Sequence, residues 1–305
     1  MGRVIVTAGY KFTSWLEYKD YQLIIRNFCE KNSIKGLVLL ASEGINCTVA
    51  GSPEAIETYK SFLKNIPGFS DISFKDSSSK EIPFNRLKVR LKKEIVTLGK
   101  ESIDPLKEVG TYIKPKDWND LISDPEVLLI DTRNDFEVEI GTFKGAINPK
   151  TKSFRDFPKF VSNNMDPKRH KKVAMCCTGG IRCEKSTAYM LSQGFEEVYH
   201  LEGGILKYLE EVPKEESLWE GSCFVFDKRM ALDTGLKLTD YSMCYGCRRP
   251  INEHDKKSFL YEEGVCCPKC SHERTSLQKE KARQRHLQEK KAKSKGDKHI
   301  GARFF

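Results

Sequence analysis

From Val4 to Ser78 the apolar positions change period several times, and each change marks an element. Around residues 17–31, Tyr21, Ile24, Ile25 and Phe28 recur at spacings of three and four, which predicts a helix with these and the preceding Leu16 on one face. Gly36 to Ala41 is a short apolar strand, and Ile45 to Ala50 is its hairpin partner across Ser42-Glu43-Gly44. Pro53 opens a second helix through Leu63, and Ile72-Ser73-Phe74-Lys75 closes a strand–helix–strand–strand–helix–strand order, the ferredoxin-like split arrangement. The next segment, Arg86 to Lys93, alternates Leu or Val with Arg or Lys, as a strand with one buried and one basic face does. A basic face can dock a polyanion or simply face solvent, and for this strand alone solvent is the plainer reading.

After a linker around Ser102 to Thr111 the pattern becomes alternating strands and helices, as in a parallel sheet covered on both faces. Val127-Leu128-Leu129-Ile130 ends at Asp131, Lys172 to Cys176 ends at Cys177, and Glu197 to His200 ends just before Glu202-Gly203-Gly204. Open sheets of this class build their sites at the carboxyl ends of strands, so the chemistry is expected at these three turns.

The turn at Cys177 is the informative one. Cys177-Thr178-Gly179-Gly180-Ile181-Arg182 lies between an apolar strand and an amphipathic helix from Cys183 to Ser192. Gly179 and Gly180 allow the backbone to curl so that successive amides point inward, a nest for an anion at a helix start. Arg182 adds a planar cationic fork, so a thiolate at Cys177 is favoured and nucleophilic near neutral pH, with Thr178, Gly179, Gly180 and Ile181 as its cradle. Counted from Cys177 the spacing to Arg182 suits a sulfur carried as a persulfide; counted from Cys176 it is the larger cradle of cysteine phosphatases. Cys176 continues the strand, so it is expected to pack as a small hydrophobe and leave Cys177 as the reactive thiol. Cys183, in the first helical turn, is placed to resolve an oxidised Cys177 by forming a disulfide.

The successive segments Asp131-Thr132-Arg133, Glu137, Gly141 to Asn148, the Cys177 loop, and Gly194-Phe195 through Leu201 to Gly204 resemble the signatures of a rhodanese domain. Thr142 and Tyr208 depart from that pattern, which points away from thiosulfate-type members. More narrowly, Gly44-Ile45-Asn46, Lys88-Val89-Arg90, Glu139 to Pro149, Cys177 to Lys185 and Cys223 to Asp227 resemble the oxygen-dependent tRNA uridine-34 hydroxylases. The resemblance implies an acylphosphatase-like N-terminal domain, a central rhodanese-like domain, catalysis by Cys177, molecular oxygen as co-substrate, and conversion of wobble uridine to 5-hydroxyuridine in the anticodon region of tRNA. Two rival functions share the sequence features: a sulfurtransferase carrying a persulfide to RNA or a small acceptor, and a non-catalytic RNA-binding or zinc-dependent scaffold. No flavin or nicotinamide fingerprint and no iron-binding pair of His with a carboxylate is recognisable, so the electron donor stays open, as does the oligomeric state.

Eleven cysteines, with no secretory signal ahead of them, fit a reducing cytoplasm in which thiols serve metals or catalysis. No apolar run reaches the roughly 18 residues that a membrane span needs. Cys244-x2-Cys247 and Cys267-x2-Cys270 have the spacing of two knuckles converging on a structural zinc, a zinc-ribbon-like module. Cys266 competes with Cys267 as a ligand, and His254 and His272 are reserve ligands. Of the net charge of +9, most lies from Arg274 onward, where eleven Lys or Arg face three acids. A basic helical or disordered arm, interrupted at Gly296, can follow a nucleic-acid backbone or merely aid solubility. The expected order is therefore a ferredoxin-like domain at 1–103, a rhodanese-like domain at 112–213, a cysteine-rich zinc-binding region at 214–275 and a basic tail at 276–305.

Overall fold

The structure, a computed structural model, describes residues 4–295. It divides into two compact units, residues 1–224 with 232–237, and residues 225–231 with 238–305.

The first unit opens with a five-stranded sheet. Strands β1 (Val4–Phe12), β2 (Lys35–Ala41), β3 (Gly44–Gly51), β4 (Ser73–Ser79) and β5 (Leu87–Leu91) lie in the order β4-β1-β3-β2-β5, with helices α1 (Tyr21–Lys31) and α2 (Pro53–Lys64) between them in sequence. The helices share a core with one sheet face, in which Val38, Leu40, Ile45, Cys47, Val49 and Val89 are essentially inaccessible. Ser52 caps α2, its hydroxyl accepting from the Ala55 amide, and Ile56, Tyr59 and Leu63 form the buried stripe.

The helix expected from about residue 17 starts at Tyr21 instead, and Leu16 and Ile24 are exposed. Trp15 takes the core position, 4.6 Å from Phe69 and 5.1 Å from Tyr21 between ring centroids, which turns Leu16 outward. The buried stripe of α1 is then Ile25 and Cys29, flanked by Tyr21 and Phe28, and Ile24 lies off it. The basic segment after β4 is a strand, as its alternation predicts. As β5 it pairs in parallel with β2 and forms the edge of the same sheet.

The rhodanese-like part has a parallel sheet in the order β6-β10-β9-β7, from β6 (Thr111–Ile113), β7 (Val127–Asp131), β9 (Lys172–Cys176) and β10 (Glu197–Leu201). Helix α3 (Pro115–Ser123), short α4 (Asp135–Val138), strand β8 (Gly141–Phe143), and helices α5 (Phe157–Asn164), α6 (Ile181–Ser192) and α7 (Gly204–Glu211) complete it. Successive residues of β9 feed opposite cores: Val173 and Met175 pack with Tyr189 and Met190, whereas Ala174 and Cys176 pack with Trp118 and Ile205. The segment after residue 213, grouped with the cysteine-rich region on sequence grounds, supplies strand β11 (Trp219–Gly221), antiparallel to β8. The Trp219 ring lies over the buried Arg133 guanidinium at 5.1 Å, so this stretch packs on the rhodanese-like part.

These two parts are joined by a buried ion triad. Lys185 of α6 is 1% exposed, and its ammonium lies 2.7 Å from a Glu43 carboxylate oxygen and 2.6 Å from Glu94. Glu43 also accepts from the Ile95 amide, and Glu94 from the Leu98 and Gly99 amides, so both carboxylates are fixed. Removing the cation leaves a buried Glu94 and a half-buried Glu43 without their partner, at a cost of up to about 3–5 kcal/mol. Lys185→Met is expected to lower the melting temperature strongly at pH 8. The loss should shrink as the pH is lowered, because unpaired buried carboxylates have raised pKa values and are relieved by protonation. Thermal denaturation across pH tests this, and a pH-independent loss would argue for packing rather than charge.

Candidate active site

The carboxyl ends of β7, β9 and β10 meet where the sequence places them. Asp131 closes β7 and holds Arg133 through a 2.6 Å ion pair with both side chains inaccessible, and Thr142 donates to Asp131 at 2.8 Å. Tyr208, the other departure from the rhodanese pattern, donates to Asn119 and accepts from the Leu218 amide. Both side chains bond partners outside the cysteine loop.

Cys177 leaves β9 on the side opposite Cys176, which is fully buried and whose thiol burial pushes well up. The phosphatase-type reading from Cys176 therefore has no reactive thiol to use. Around Cys177 the loop curls into the expected nest. The Gly180 amide donates to Cys177 Sγ at 3.2 Å, and Gly180 adopts φ +102° at the start of α6. Burial alone raises the thiol, but donors from Cys183, the Arg182 charge and the Cys183 and Gly180 amides outweigh it and bring Cys177 down to about 6. Cys183 is held well above its ordinary value by burial and by the Cys177 charge, so in this pair Cys177 is the thiolate and Cys183 the neutral donor.

Two features of the cradle differ from the sequence expectation. Arg182 is not a bare cation: its fork is engaged by Glu137, with distances of 2.9 and 2.7 Å, and Glu137 is itself inaccessible and anchored by the Asn134 amide. Its charge reaches Cys177 from a fixed position rather than from a mobile side chain. Thr178 Oγ1 is buried and makes no hydrogen bond within the protein, which leaves a polar atom of the cysteine loop without an internal partner.

The larger difference is that the cradle is roofed by the first domain. Lys75 of β4 donates to the Gly179 carbonyl at 2.7 Å and also to the Gly203 carbonyl. Tyr10 of β1 donates to Glu184 at 2.6 Å, and Tyr112 bonds the same carboxylate. A methyl group on Gly180 would come within 2.7 Å of the Tyr10 hydroxyl, so this glycine is required both by its backbone angle and by the roof. Burial pushes Lys75 down to about 8 despite the nearby Cys177, and burial raises Glu184. Lys75, Tyr10 and Tyr112 carry no sequence signal, being 102, 167 and 65 positions from Cys177 by their numbers. Glu184 and Glu137 do lie in the quoted segments, and only the fold gives them partners.

In the second unit the Cys244 and Cys247 knuckle lies between strands Ser242–Met243 and Pro250–Ile251, and Cys267 with Cys270 forms the other. The four sulfurs all lie within 4.8 Å of one another, with Cys244–Cys270 at 3.9 Å, Cys247–Cys267 at 3.7 Å and Cys267–Cys270 at 3.8 Å, so the set can hold a metal ion. Cys266 is directed instead to the Leu260 carbonyl, and neither His254 nor His272 belongs to the set. The basic arm is helical over Ser276–Ser294, capped by Thr275, and Arg283 and Lys290 pair with Glu262 and Glu263 beside the knuckles. The expected break at Gly296 lies outside the described residues. Among the described residues no helix is long and apolar enough to cross a membrane.

Residues 4–95 match the model of the UPF0176 acylphosphatase like domain, and residues 114–211 match that of the rhodanese-like domain. Among solved structures, a rhodanese-like domain from Anabaena is 18% identical, covering 36% of this chain and 78% of that one with a TM-score of 0.31. An acylphosphatase from Coxiella burnetii is 13% identical, covering 30% and 94% with a TM-score of 0.23. Along almost its full length the chain is similar to the tRNA uridine(34) hydroxylase of Teredinibacter turnerae, 56% identical over 303 residues, which are 99% of this chain and 94% of that protein. With a thiolate cradle at the heart of its rhodanese-like domain, this chain belongs to the tRNA uridine(34) hydroxylase family.

Proposed function

We propose that this protein hydroxylates uridine 34 of tRNA to 5-hydroxyuridine in the cytoplasm, with molecular oxygen as co-substrate and Cys177 as the reactive group. The observation that carries the reading is the stabilised thiolate at Cys177, enclosed between an amide nest and the roof of Lys75 and Tyr10, in a chain of this family. Arg182 is a positioning residue, held by Glu137, that keeps positive potential at the sulfur. Thr178, Gly179, Gly180 and Ile181 form the cradle, and Thr178 Oγ1 is the polar atom best placed to meet a substrate group. Cys183 would resolve a Cys177 sulfenic acid by condensing with it to a disulfide and water, since oxidation of Cys177 removes the anion that helps to hold Cys183 protonated. Cys177 is 1% exposed, so a flipped-out base reaches it only by displacing part of the roof.

The cradle would also hold a persulfide, which keeps sulfur transfer as the second reading. Thiosulfate and cyanide separate the two: vigorous thiocyanate release would favour sulfur transfer. Mass spectrometry of tRNA nucleosides from cells lacking the gene is expected to show loss of 5-hydroxyuridine and its derivatives, restored by the wild-type gene and not by Cys177→Ser. Hydroxylation sustained by Cys177→Ser would remove the thiol from the reaction.

The second unit supports a structural zinc. A tetrahedral site with zinc–sulfur bonds of about 2.3 Å has sulfur–sulfur edges of about 3.8 Å, close to the Cys244–Cys270, Cys247–Cys267 and Cys267–Cys270 separations here. Bound zinc would fix the two knuckles to each other. Elemental analysis of purified protein should find stoichiometric zinc, lost in Cys267→Ser and retained in Cys266→Ser.

The titration of Cys177 has a definite sign. With its pKa lowered to about 6, the thiolate predominates above that pH and is lost as the pH falls through it. The ultraviolet thiolate absorbance of wild type minus Cys177→Ser should therefore rise with a midpoint near pH 6, well below that of an ordinary thiol. A midpoint near 9 would mean that the cradle does not stabilise the anion.

A further inference from the structure

The face of the five-stranded sheet opposite α1 and α2 meets the start of α6 at one end, where Ile181 packs with Phe12 and Ala41 and Glu184 accepts from Tyr10, and its strand register places two rows of side chains across the face. One row runs Lys75, Ala8, Thr48, Leu37, Lys88, and the next runs Ser73, Tyr10, Asn46, Leu39, Arg90. Alternation assigns these residues to one face, because their neighbours Val38, Leu40, Cys47, Val49 and Val89 are in the helix-side core. Within the rows Leu37 is 38% exposed, Arg90 is exposed, and Ala8, Thr48, Asn46, Leu39 and Lys88 are half-buried. Away from Lys75 and Tyr10, which are packed against the cysteine loop and Glu184, the rows, in which the Asn46 amide donates to the Ile95 carbonyl, form a partly accessible floor. It spans four strand spacings, about 19 Å, from Lys75 at one edge to Lys88 and Arg90 at the other.

Two observations identify its occupant. The far edge carries cations, with Lys88 and Arg90 on this face of β5 and Lys92 just beyond its end, and the two rows between the edges offer hydroxyl, amide and aliphatic groups but no carboxylate. The near edge is the roof of the candidate active site, since Lys75 and Tyr10 are the same two residues that touch the Cys177 loop and Glu184. A single-stranded polyanion lying across the rows would meet cations with its phosphates and apolar or hydrogen-bonding groups with its bases, and would lead to the Lys75 and Tyr10 roof over Cys177.

We infer that this sheet face, from Lys75 to Lys88 and Arg90, seats the unpaired RNA strand that flanks the reacting base. The inference rests on the tRNA-modifying reading above and adds to it the surface that orients the substrate. It also gives the basic alternation of β5 a purpose beyond solubility, and it assigns Lys88 and Arg90 to substrate binding rather than to chemistry.

The test uses the full-length protein and a fluorescently end-labelled anticodon stem–loop RNA with uridine at the wobble position. Affinity is read by anisotropy over a range of salt, and hydroxylation of tRNA is read in parallel. Lys88→Gln with Arg90→Gln is compared with Lys31→Gln plus Lys64→Gln, which removes equal charge from exposed sites on the helices of the opposite face. The β5 double variant should bind about tenfold more weakly, with the salt slope reduced by about 0.7 for each phosphate that is no longer neutralised. Its KM for tRNA should rise while kcat at saturating tRNA is kept, and the helix-face variant should behave as wild type. Unchanged affinity in the β5 variant, or equal losses in both variants, would overturn the inference whatever the hydroxylation result. Selective loss of RNA binding without any hydroxylation by wild-type protein would leave the RNA seat standing and remove the proposed reaction.

Discussion

A peptide plane is rigid, so a loop cannot turn its amides inward without turning its carbonyls out, and buried carbonyls need partners. This constraint governs the Cys177 site. The Cys177 carbonyl accepts from the Ile205 amide at 2.9 Å and the Thr178 carbonyl from the Leu206 amide at 3.1 Å, both at the start of α7. The Gly179 carbonyl accepts from Lys75 in the other domain. Gly204 must be glycine for this to close, since a methyl there would lie 2.6 Å from the Cys177 carbonyl oxygen at a φ of +70°. The Gly-Gly turn after β10 is thus part of the cysteine loop's support, and so is the first domain.

That dependence explains why the two parts of the first unit are locked by polar groups rather than by a purely apolar seam. Phe12, Ala41 and Ile95 form a small apolar patch with Ile181, but the specific contacts are Lys185 with Glu43 and Glu94, Tyr10 with Glu184, and Lys75 with the loop carbonyls. Buried charged pairs add little net stability over apolar contacts, yet they penalise any arrangement that leaves one partner alone. A junction of this kind fixes one orientation closely enough to hold a roof over a thiolate. It also surrounds Cys177 with groups that respond to a polar ligand.

The electrostatics of the cradle divide between fixed and adjustable parts. Arg182 and Glu137 form a bidentate pair inside the rhodanese-like part, and Asp131 with Arg133 forms another under the Trp219 ring. These set the potential from buried, paired positions. Lys75 is different, because burial draws its pKa down to about 8 and its ammonium is held largely by carbonyl oxygens.

The period of the hydrophobic pattern was enough to place both sheets and the three strand ends, because period-two alternation is a local property of a strand. It also separated Cys176 from Cys177, since adjacent strand residues face opposite cores. The knuckle spacing likewise selected four thiols that do converge. What local pattern could not supply was competition for the same core position, which Trp15 wins over Leu16, or the pairing of β5 at the edge of the first sheet. Nor could it show that Glu137 neutralises Arg182, that Lys75 and Tyr10 roof the cysteine, or that Lys88 lies in line with Lys75 across the sheet. Those relations join residues far apart in the chain and depend on register and domain packing, so the sequence by itself determined the Cys177 loop and its glycine-rich curl, and only the tertiary structure decided what encloses it.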